Sequence, residues 1–333
     1  MLGSGLVPRI SLADEPLRMQ PVRVIKLVIE ENIEPTVVVS VKLSPGAKFL
    51  AAAGDDHCVW VWDPNSGQML HHLKGHGDWV RAVSFTPDGI HVASAGNDRQ
   101  IRTWDAESGR MVATLPMQAQ AIAGLAISPT GEYLAAAGFD NTLKLYNTQE
   151  GKITKELACT SADNSTTVFS PNGEMLAVAG RDGAVRVWQT SDWEVRHNIA
   201  ADRRRLKALA FSPDSLTLAS AGEGRMVRLW NASTGEMIRE LPCPSAKLFA
   251  LAYISDRFLA CSGTDNRVMI WDVENGTLAC LLEGHTGSVA SLSYDSASGL
   301  LASGSYDTTI LIWNMSELGQ DRSTRTPAVK RPY

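Results

Sequence analysis

The sequence predicts an all-β fold made by repeating one four-stranded antiparallel unit, and three observations carry that prediction. A closing pair recurs as Trp62-Asp63, Trp104-Asp105, Tyr146-Asn147, Trp188-Gln189, Trp230-Asn231, Trp271-Asp272 and Trp313-Asn314, at intervals of 42, 42, 42, 42, 41 and 42 residues. Between closings the chain keeps one grammar: from Gly75 to Asp105, apolar runs at 80–85, 90–95 and 100–104 are separated by Pro87-Asp88-Gly89 and Gly96-Asn97-Asp98. Short apolar runs punctuated by turn formers read as consecutive antiparallel strands joined by hairpins. The same unit opens with Gly75-His76 and closes with Trp-Asp. A period of this length with those two ends marks the blades of a β-propeller. Seven closings predict seven blades.

In chain order, residues 1–20 lack the basic start and long apolar core of a secretory signal. Leu6-Val7-Pro8-Arg9 resembles a protease site added for expression, without the usual Gly-Ser after it, and residues 1–20 are expected to be a flexible tail outside the fold. Residues 22–29, VRVIKLVI, align with the outermost strands at 68–73, 110–115 and 277–282. After Trp313 no apolar run remains for a fourth strand. Residues 22–29 are therefore expected to complete the seventh blade and close the ring, which removes an open seam. The first unit, 36–63, has Ile33-Glu34 where Gly-His would stand, and a third strand at 58–62 that is apolar on both faces. That is the pattern of a strand packed between two layers.

Second-strand segments are built from small residues: Ala51-Ala52-Ala53-Gly54, Ala93-Ser94-Ala95-Gly96, Ala135-Ala136-Ala137-Gly138, Ala177-Val178-Ala179-Gly180 and Ala219-Ser220-Ala221-Gly222. Wedge-shaped blades crowd toward the axis, where one extra methylene is felt. The third unit closes in Tyr146-Asn147, the fourth diverges at 160–167, and the fifth has Gly224 where the others carry an aspartate. The sixth is one residue short at Tyr253-Ile254-Ser255-Asp256. The propeller is expected to span 21–315, with 316–333 a flexible polar tail.

With 333 residues, 44% hydrophobic and 20% charged, the composition is that of a globular protein. A formal net charge of −5 argues against a general nucleic-acid binder. No apolar run has the length of a membrane span. Five cysteines, Cys58, Cys159, Cys243, Cys261 and Cys280, show no CxxC spacing and read as reduced thiols of a cytoplasmic protein. His57, His71, His72, His91 and His197 share no metal-ligand spacing, so no metal site is expected. No GxGxxG, P-loop or GxSxG motif is present, and no cofactor is expected.

The period, both dipeptides and the intervening turns together resemble the WD40-repeat family over nearly the whole chain. That resemblance implies a closed seven-bladed propeller, and it leaves function open because the fold hosts many. His76, Ser94, Asp98 and Trp104 recur at identical spacing as His285, Ser303, Asp307 and Trp313. Serine, histidine and an acid together suggest a hydrolase triad. The resemblance implies instead a structural hydrogen-bonded chain inside a blade, from turn aspartate through histidine and serine to the indole. The turn aspartate recurs as Asp56, Asp140, Asp182 and Asp265, six residues before each closing aromatic.

By the same resemblance, partners dock on the rim formed by the loops entering each first strand and the turns after each second strand. Alignment places Val37, Val39 and Asp55 there in blade one, then Trp79, Arg81 and Asn97. Ala121, Ala123 and Phe139 follow, then Asp163, Ser165 and Arg181, then Arg205, Lys207 and Glu223. Lys247, Phe249 and Thr264, and Ser288, Ala290 and Tyr306, complete the ring. Arg181, Arg205, Lys207 and Lys247 against Asp163 and Glu223 leave +2 on blades four to six. Such an arc suits an acidic segment, with Phe249 anchoring an apolar side chain. Arg203-Arg204-Arg205 reads either as a solvated loop or as part of that acidic-partner site. The expected function is a non-enzymatic scaffold, a monomeric propeller binding protein or peptide partners. The alternatives are a propeller module of a larger multidomain protein, or an enzyme using the central channel, whose inner strands carry almost no carboxylate or histidine.

Overall fold

A computed structural model describes residues 16–27, 36–316 and 318 of the 333. β1 (Leu17–Met19) and β2 (Arg23–Lys26) come first in the chain. Blade one follows as β3 (Val38–Leu43), β4 (Leu50–Gly54), β5 (Cys58–Trp62) and β6 (Met69–Lys74), each antiparallel to the one before. Five further four-stranded units repeat this meander, and the seventh sheet joins Val289–Asp295, Leu300–Ser305 and Thr309–Asn314 to β2. Seven blades in a ring are the predicted architecture.

β2 runs antiparallel to Thr309–Asn314, with Arg23 opposite Ile312 and Lys26 opposite Thr309. Val22 and Leu27 extend the ladder through their N–H groups, at 2.8 Å to the Ile312 carbonyl and 3.1 Å to that of Thr308. Ile25 and Leu27 sink into the apolar layer between blades seven and one. The ring therefore closes on the expected segment as far as Leu27. Residues 28 and 29 lie outside the described residues, as do residues 1–15 and most of the tail at 316–333.

One expectation is corrected. Residues 17–19 belong to the fold: β1 lies parallel to Thr277–Glu283, with Leu17 opposite Cys280 and Met19 opposite Leu282, giving blade six a fifth strand. Leu17 and Met19 pack on the apolar layer between blades six and seven, while Arg18 turns outward to Glu283 at 2.9 Å. Three residues of alternating polarity are too short to stand out as a strand in sequence.

The core is the set of interfaces between neighbouring blades. Among the described residues seven buried apolar clusters form, one for each interface. Ala51, Ala52 and Ala53 are fully buried on β4, where larger side chains would push adjacent blades apart. The tryptophans Trp60, Trp188 and Trp313 fill the wider outer part of the wedge.

One irregularity is shared by every blade. The pairing of first with second strand shifts register at the same place seven times, between Val38/Ser40, Val80/Ala82, Ile122/Gly124, Asn164/Thr166, Leu206/Ala208, Leu248/Ala250 and Val289/Ser291. The residue skipped is Val39, Arg81, Ala123, Ser165, Lys207, Phe249 or Ala290. A β-bulge leaves one residue unpaired and re-aims its side chain.

Candidate functional site

The skipped residues are the middle rim positions of the seven blades, so the bulge is what turns them onto the rim. The neighbouring rim positions are held by backbone. Gly96 ends a second strand so close to the preceding loop that a Cβ there would lie 1.9 Å from the Trp79 carbonyl oxygen. That oxygen accepts the Asn97 N–H at 2.9 Å, and Phe139, Arg181, Glu223, Thr264 and Tyr306 are held by the equivalent bond. Each blade thus presents a loop residue, a bulge residue and a turn residue at one level.

Trp79 is 44% exposed, Phe139 37% and Tyr306 47%, large apolar surfaces on a face bathed in water. Their neighbours orient them. Arg81 lies over the Phe139 ring at 5.6 Å and donates to the Asn97 side-chain oxygen, linking blades two and three. The Phe249 and Tyr306 rings stand 6.2 Å apart across blades six and seven. The basic arc is partly neutralised from within. Arg205 is ion-paired with Asp163, and Lys247 approaches Glu223 at 3.6 Å. Arg181 and Lys207 have no carboxylate within ion-pair distance among the described residues. Burial, with Arg205 close by, holds the Lys207 ammonium below its ordinary value against the pull of Asp163 and Glu223.

The two tetrads are complete hydrogen-bonded chains. His76 Nδ1 meets Asp98 Oδ2 at 2.8 Å, His76 Nε2 accepts from Ser94 Oγ at 2.7 Å, and Trp104 Nε1 donates to Ser94 Oγ at 2.8 Å. In blade seven the distances for His285, Asp307, Ser303 and Trp313 are 3.0, 2.8 and 2.9 Å. Ser94 and Ser303 are fully buried beneath indoles, where no substrate carbonyl can reach them. Burial alone would raise the Asp98 carboxyl, but bonds from His76, Arg102 and the Gln100 N–H hold it far below the carboxylate range.

Blades that depart from the tetrad substitute other bonds at the same positions. In blade three Gln118 Nε2 donates to Tyr146 Oη at 3.2 Å, the phenol reaching where serine would bridge, and Lys144 meets Asp140 at 3.1 Å. In blade five Trp230 Nε1 donates to Ser220 Oγ at 2.9 Å, while Asp202 stands at the histidine position and ion-pairs with Arg228. A Cβ on Gly224 would lie 1.8 Å from Asp202 Oδ2, so the acid has moved from the turn to the loop. Blades one and six carry Ala52 and Cys261 where the serine would be; the Trp62 indole nitrogen has no hydrogen-bond partner among the described residues, and the Trp271 indole stands against the Cys261 thiol. Cys261 Sγ lies 3.7 Å from Cys243 Sγ, and Cys58, Cys159, Cys243 and Cys261 are not bridged.

Among the described residues, cross-strand pairing assembles one mixed donor group that spacing alone does not reveal. Asp56, Cys58 and His72 place ligand atoms within 4.8 Å of one another, because β5 and β6 set Trp60 opposite His72 and Cys58 opposite Lys74. Asp56 Oδ2 already accepts from Trp60 Nε1 at 2.7 Å, and His72 stacks on Trp60 at 3.7 Å. Burial, with Asp56 beside it, pushes the Cys58 thiol up to about 11, so a metal would have to displace its proton. The carboxylate and imidazole are engaged in packing blade one.

The ring, the tetrads and the repeated closings define a WD40-repeat propeller. Comparison with known families agrees: residues 37–268 match the family described as "IFT122 first beta-propeller", and residues 276–314 match the "WD domain, G-beta repeat". The first match covers well over half of the chain, and the protein belongs to that family of propellers. Curated relatives align over short stretches. "Periodic tryptophan protein 2 homolog" of Schizosaccharomyces pombe is 42% identical over 59 residues, 17% of this chain and 7% of that protein. "Probable serine/threonine-protein kinase PkwA" of Thermomonospora curvata is 52% identical over 44 residues, 13% of this chain and 6% of that protein. "DENN domain and WD repeat-containing protein SCD1" of Arabidopsis thaliana is 33% identical over 70 residues, 21% of this chain and 6% of that protein.

Proposed function

We propose that this propeller is a non-enzymatic interaction module whose rim binds an acidic, apolar-anchored segment of a protein partner across blades four to six. The observation that carries the reading is the bulge shared by all seven first strands, which sets Arg81, Lys207 and Phe249 level with Trp79, Phe139, Arg181 and Tyr306. Exposed aromatics and arginines on one face have the composition of a binding surface. The opposite mouth of the channel speaks against catalysis there. Its cavities, of about 440 and 380 Å³, carry Lys42 and Asp295 as their ionisable side chains apart from tyrosines. Asp295 accepts the Gly46 N–H at 3.1 Å, and burial pushes the Tyr253 and Tyr294 phenols above their ordinary value, so the groups beside Lys42 are poorly suited to exchange a proton near neutral pH.

A second reading, a propeller working as one module of a longer polypeptide, is favoured by the relatives, of which the aligned stretches cover 6–7%.

A fluorescent acidic peptide with one phenylalanine, followed by stopped flow, tests the rim. Reversal of Arg205 and Lys207 to glutamate should slow association several-fold at low salt in the folded protein, with a lower melting temperature because the Arg205–Asp163 pair is lost, whereas Trp79→Ala should leave blades four to six binding. Unchanged association by the double reversal at low salt would move the site to Trp79, Arg81 and Tyr306.

A further inference from the structure

We propose that the cleft beside the fifth blade is a phosphate-monoester site that seats a phosphorylated side chain of a peptide partner. The proposal rests on the rim reading above and adds the chemical class of the ligand. The cleft has a volume of about 830 Å³, and four of its walls are arginines: Arg203, Arg204, Arg225 and Arg228. Arg228 is ion-paired with Asp202 and Glu240, but Arg203, Arg204 and Arg225 line the same concavity without a carboxylate partner among the described residues, in a chain whose formal charge is −5.

The cleft exists because blade five breaks the tetrad. In blade two the corresponding space is filled by His76 and Asp98, bonded to each other. In blade five the same positions hold Asp202 and Gly224. The Asp202 carboxylate turns inward into the space that Gly224 leaves and ion-pairs with Arg228. It lines the cleft, but its charge is spent on Arg228. Arg203 and Arg225 are exposed, with no carboxylate partner among the described residues. Arg204 donates one N–H to the Glu223 carbonyl at 3.2 Å, which fixes the side chain and leaves its charge uncompensated.

The loop that carries Arg203 and Arg204 is anchored. Ala201 and Asp202 donate their N–H groups to the Gly183 carbonyl at 3.1 and 2.9 Å, and Arg204 N–H donates to Asp202 Oδ1 at 2.9 Å. Gly183 is itself locked there, since a Cβ would lie 2.1 Å from the Asp202 carbonyl. The anchored backbone and the held Arg204 leave mainly the Arg203 and Arg225 side chains to be ordered on binding.

Charge selects the ligand class. Four arginines less Asp202, and less Glu240 at 2.7 Å from Arg228 Nε, leave about two positive charges. A phosphate monoester carries about −1.5 to −2 at neutral pH and offers three acceptor oxygens to guanidinium forks. A carboxylate would satisfy half of that. The chain runs from this loop directly through Arg205 to Lys207 on the rim, so a peptide lying across blades four to six reaches the cleft with a neighbouring side chain.

The test compares an acidic peptide with its singly serine-phosphorylated form and with O-phosphoserine alone, by calorimetry on the whole chain. The phosphorylated peptide should bind at least tenfold more tightly than the unmodified one. Arg203→Gln with Arg225→Gln, both solvent-exposed changes, should erase that advantage and leave the unmodified peptide's affinity unchanged. Asp202→His with Gly224→Asp, which fills the cleft with a tetrad, should erase it too. Equal affinity of the two peptides, or an advantage that survives both variants, overturns the proposal. Tighter binding to vesicles containing a phosphorylated inositol lipid than to the phosphopeptide overturns the peptide assignment in favour of a membrane. Cleft-dependent binding of O-phosphoserine with no binding of either peptide upholds the anion cleft and overturns the rim reading.

Discussion

At the scale of single residues, the tetrads tie stability to pH. Burial holds the His285 ring below the 6.5 of a free histidine, with Asp307 opposing. The unfolded chain then takes up its proton at higher pH than the folded one, so stability falls as pH falls below that value. The Asp98 and Asp307 carboxyls are held below 3.8 by their bonds against burial, so their contribution is full above that value and is lost as pH drops through it. Both effects have one sign. The melting temperature should fall between about pH 7.5 and about pH 5.5 and more steeply below about pH 4, and His285→Gln should flatten the first segment. Asp307→Ala, which strands the Thr286 N–H and leaves His285 Nδ1 with Thr309 Oγ1 at 3.2 Å, should cost about 1–3 kcal/mol in denaturant titrations, and Ser303→Ala less. Blade five supplies a reciprocal test. Gly224→Asp alone should destabilise by about 1–3 kcal/mol, because its side chain meets the Asp202 carboxylate. Adding Asp202→His should recover most of that loss, since Ser220 and Trp230 already stand at the tetrad spacing and are bonded to each other.

At the scale of elements, the two N-terminal strands carry unequal weight. β2 covers the last edge of blade seven and buries Ile25 and Leu27 at 3% and 1% exposure, whereas β1 adds three residues to an already complete blade. Leu27→Ala should cost about 2–4 kcal/mol by the cavity it leaves. A chain starting at residue 21 should keep a cooperative transition with a slightly lower melting temperature. A chain starting at residue 30 should aggregate, because an apolar blade edge opens. Equal melting of the residue-30 form and the full chain would remove β2 from the closure.

At the scale of the whole molecule, the rim is a polar and aromatic face on a chain of opposite net charge. Steering by such an arc acts on encounter and is screened within about 8 Å at physiological salt. Association of an acidic peptide should therefore slow as salt rises, while dissociation changes little. The slope against salt should shrink in the Arg205→Glu, Lys207→Glu variant. The pairs Arg205–Asp163 and Lys247–Glu223 make the arc weaker than its +2 formal sum suggests at short range, and they leave Arg181 and Lys207 as its cations without an acid partner.

Sequence alone determined the blade count, the closing strand and the tetrads, because each is written in local periodicity: a 42-residue interval, alternating runs between turn formers, and four polar residues at constant spacing. The aligned rim positions were legible only through the resemblance to WD40 relatives. Why those side chains reach the rim was not, since a bulge has no residue signature and hosts valine, arginine, alanine, serine, lysine and phenylalanine alike. Pairings between residues far apart in the chain were also decided only by the tertiary structure. β1 finds blade six about 260 positions away, Asp202 takes the place of a side chain missing at Gly224, and Arg205 reaches back to Asp163 in the preceding blade. Periodicity specifies what each unit is. Closing the ring specifies which units touch, and charge and cavity are properties of those contacts.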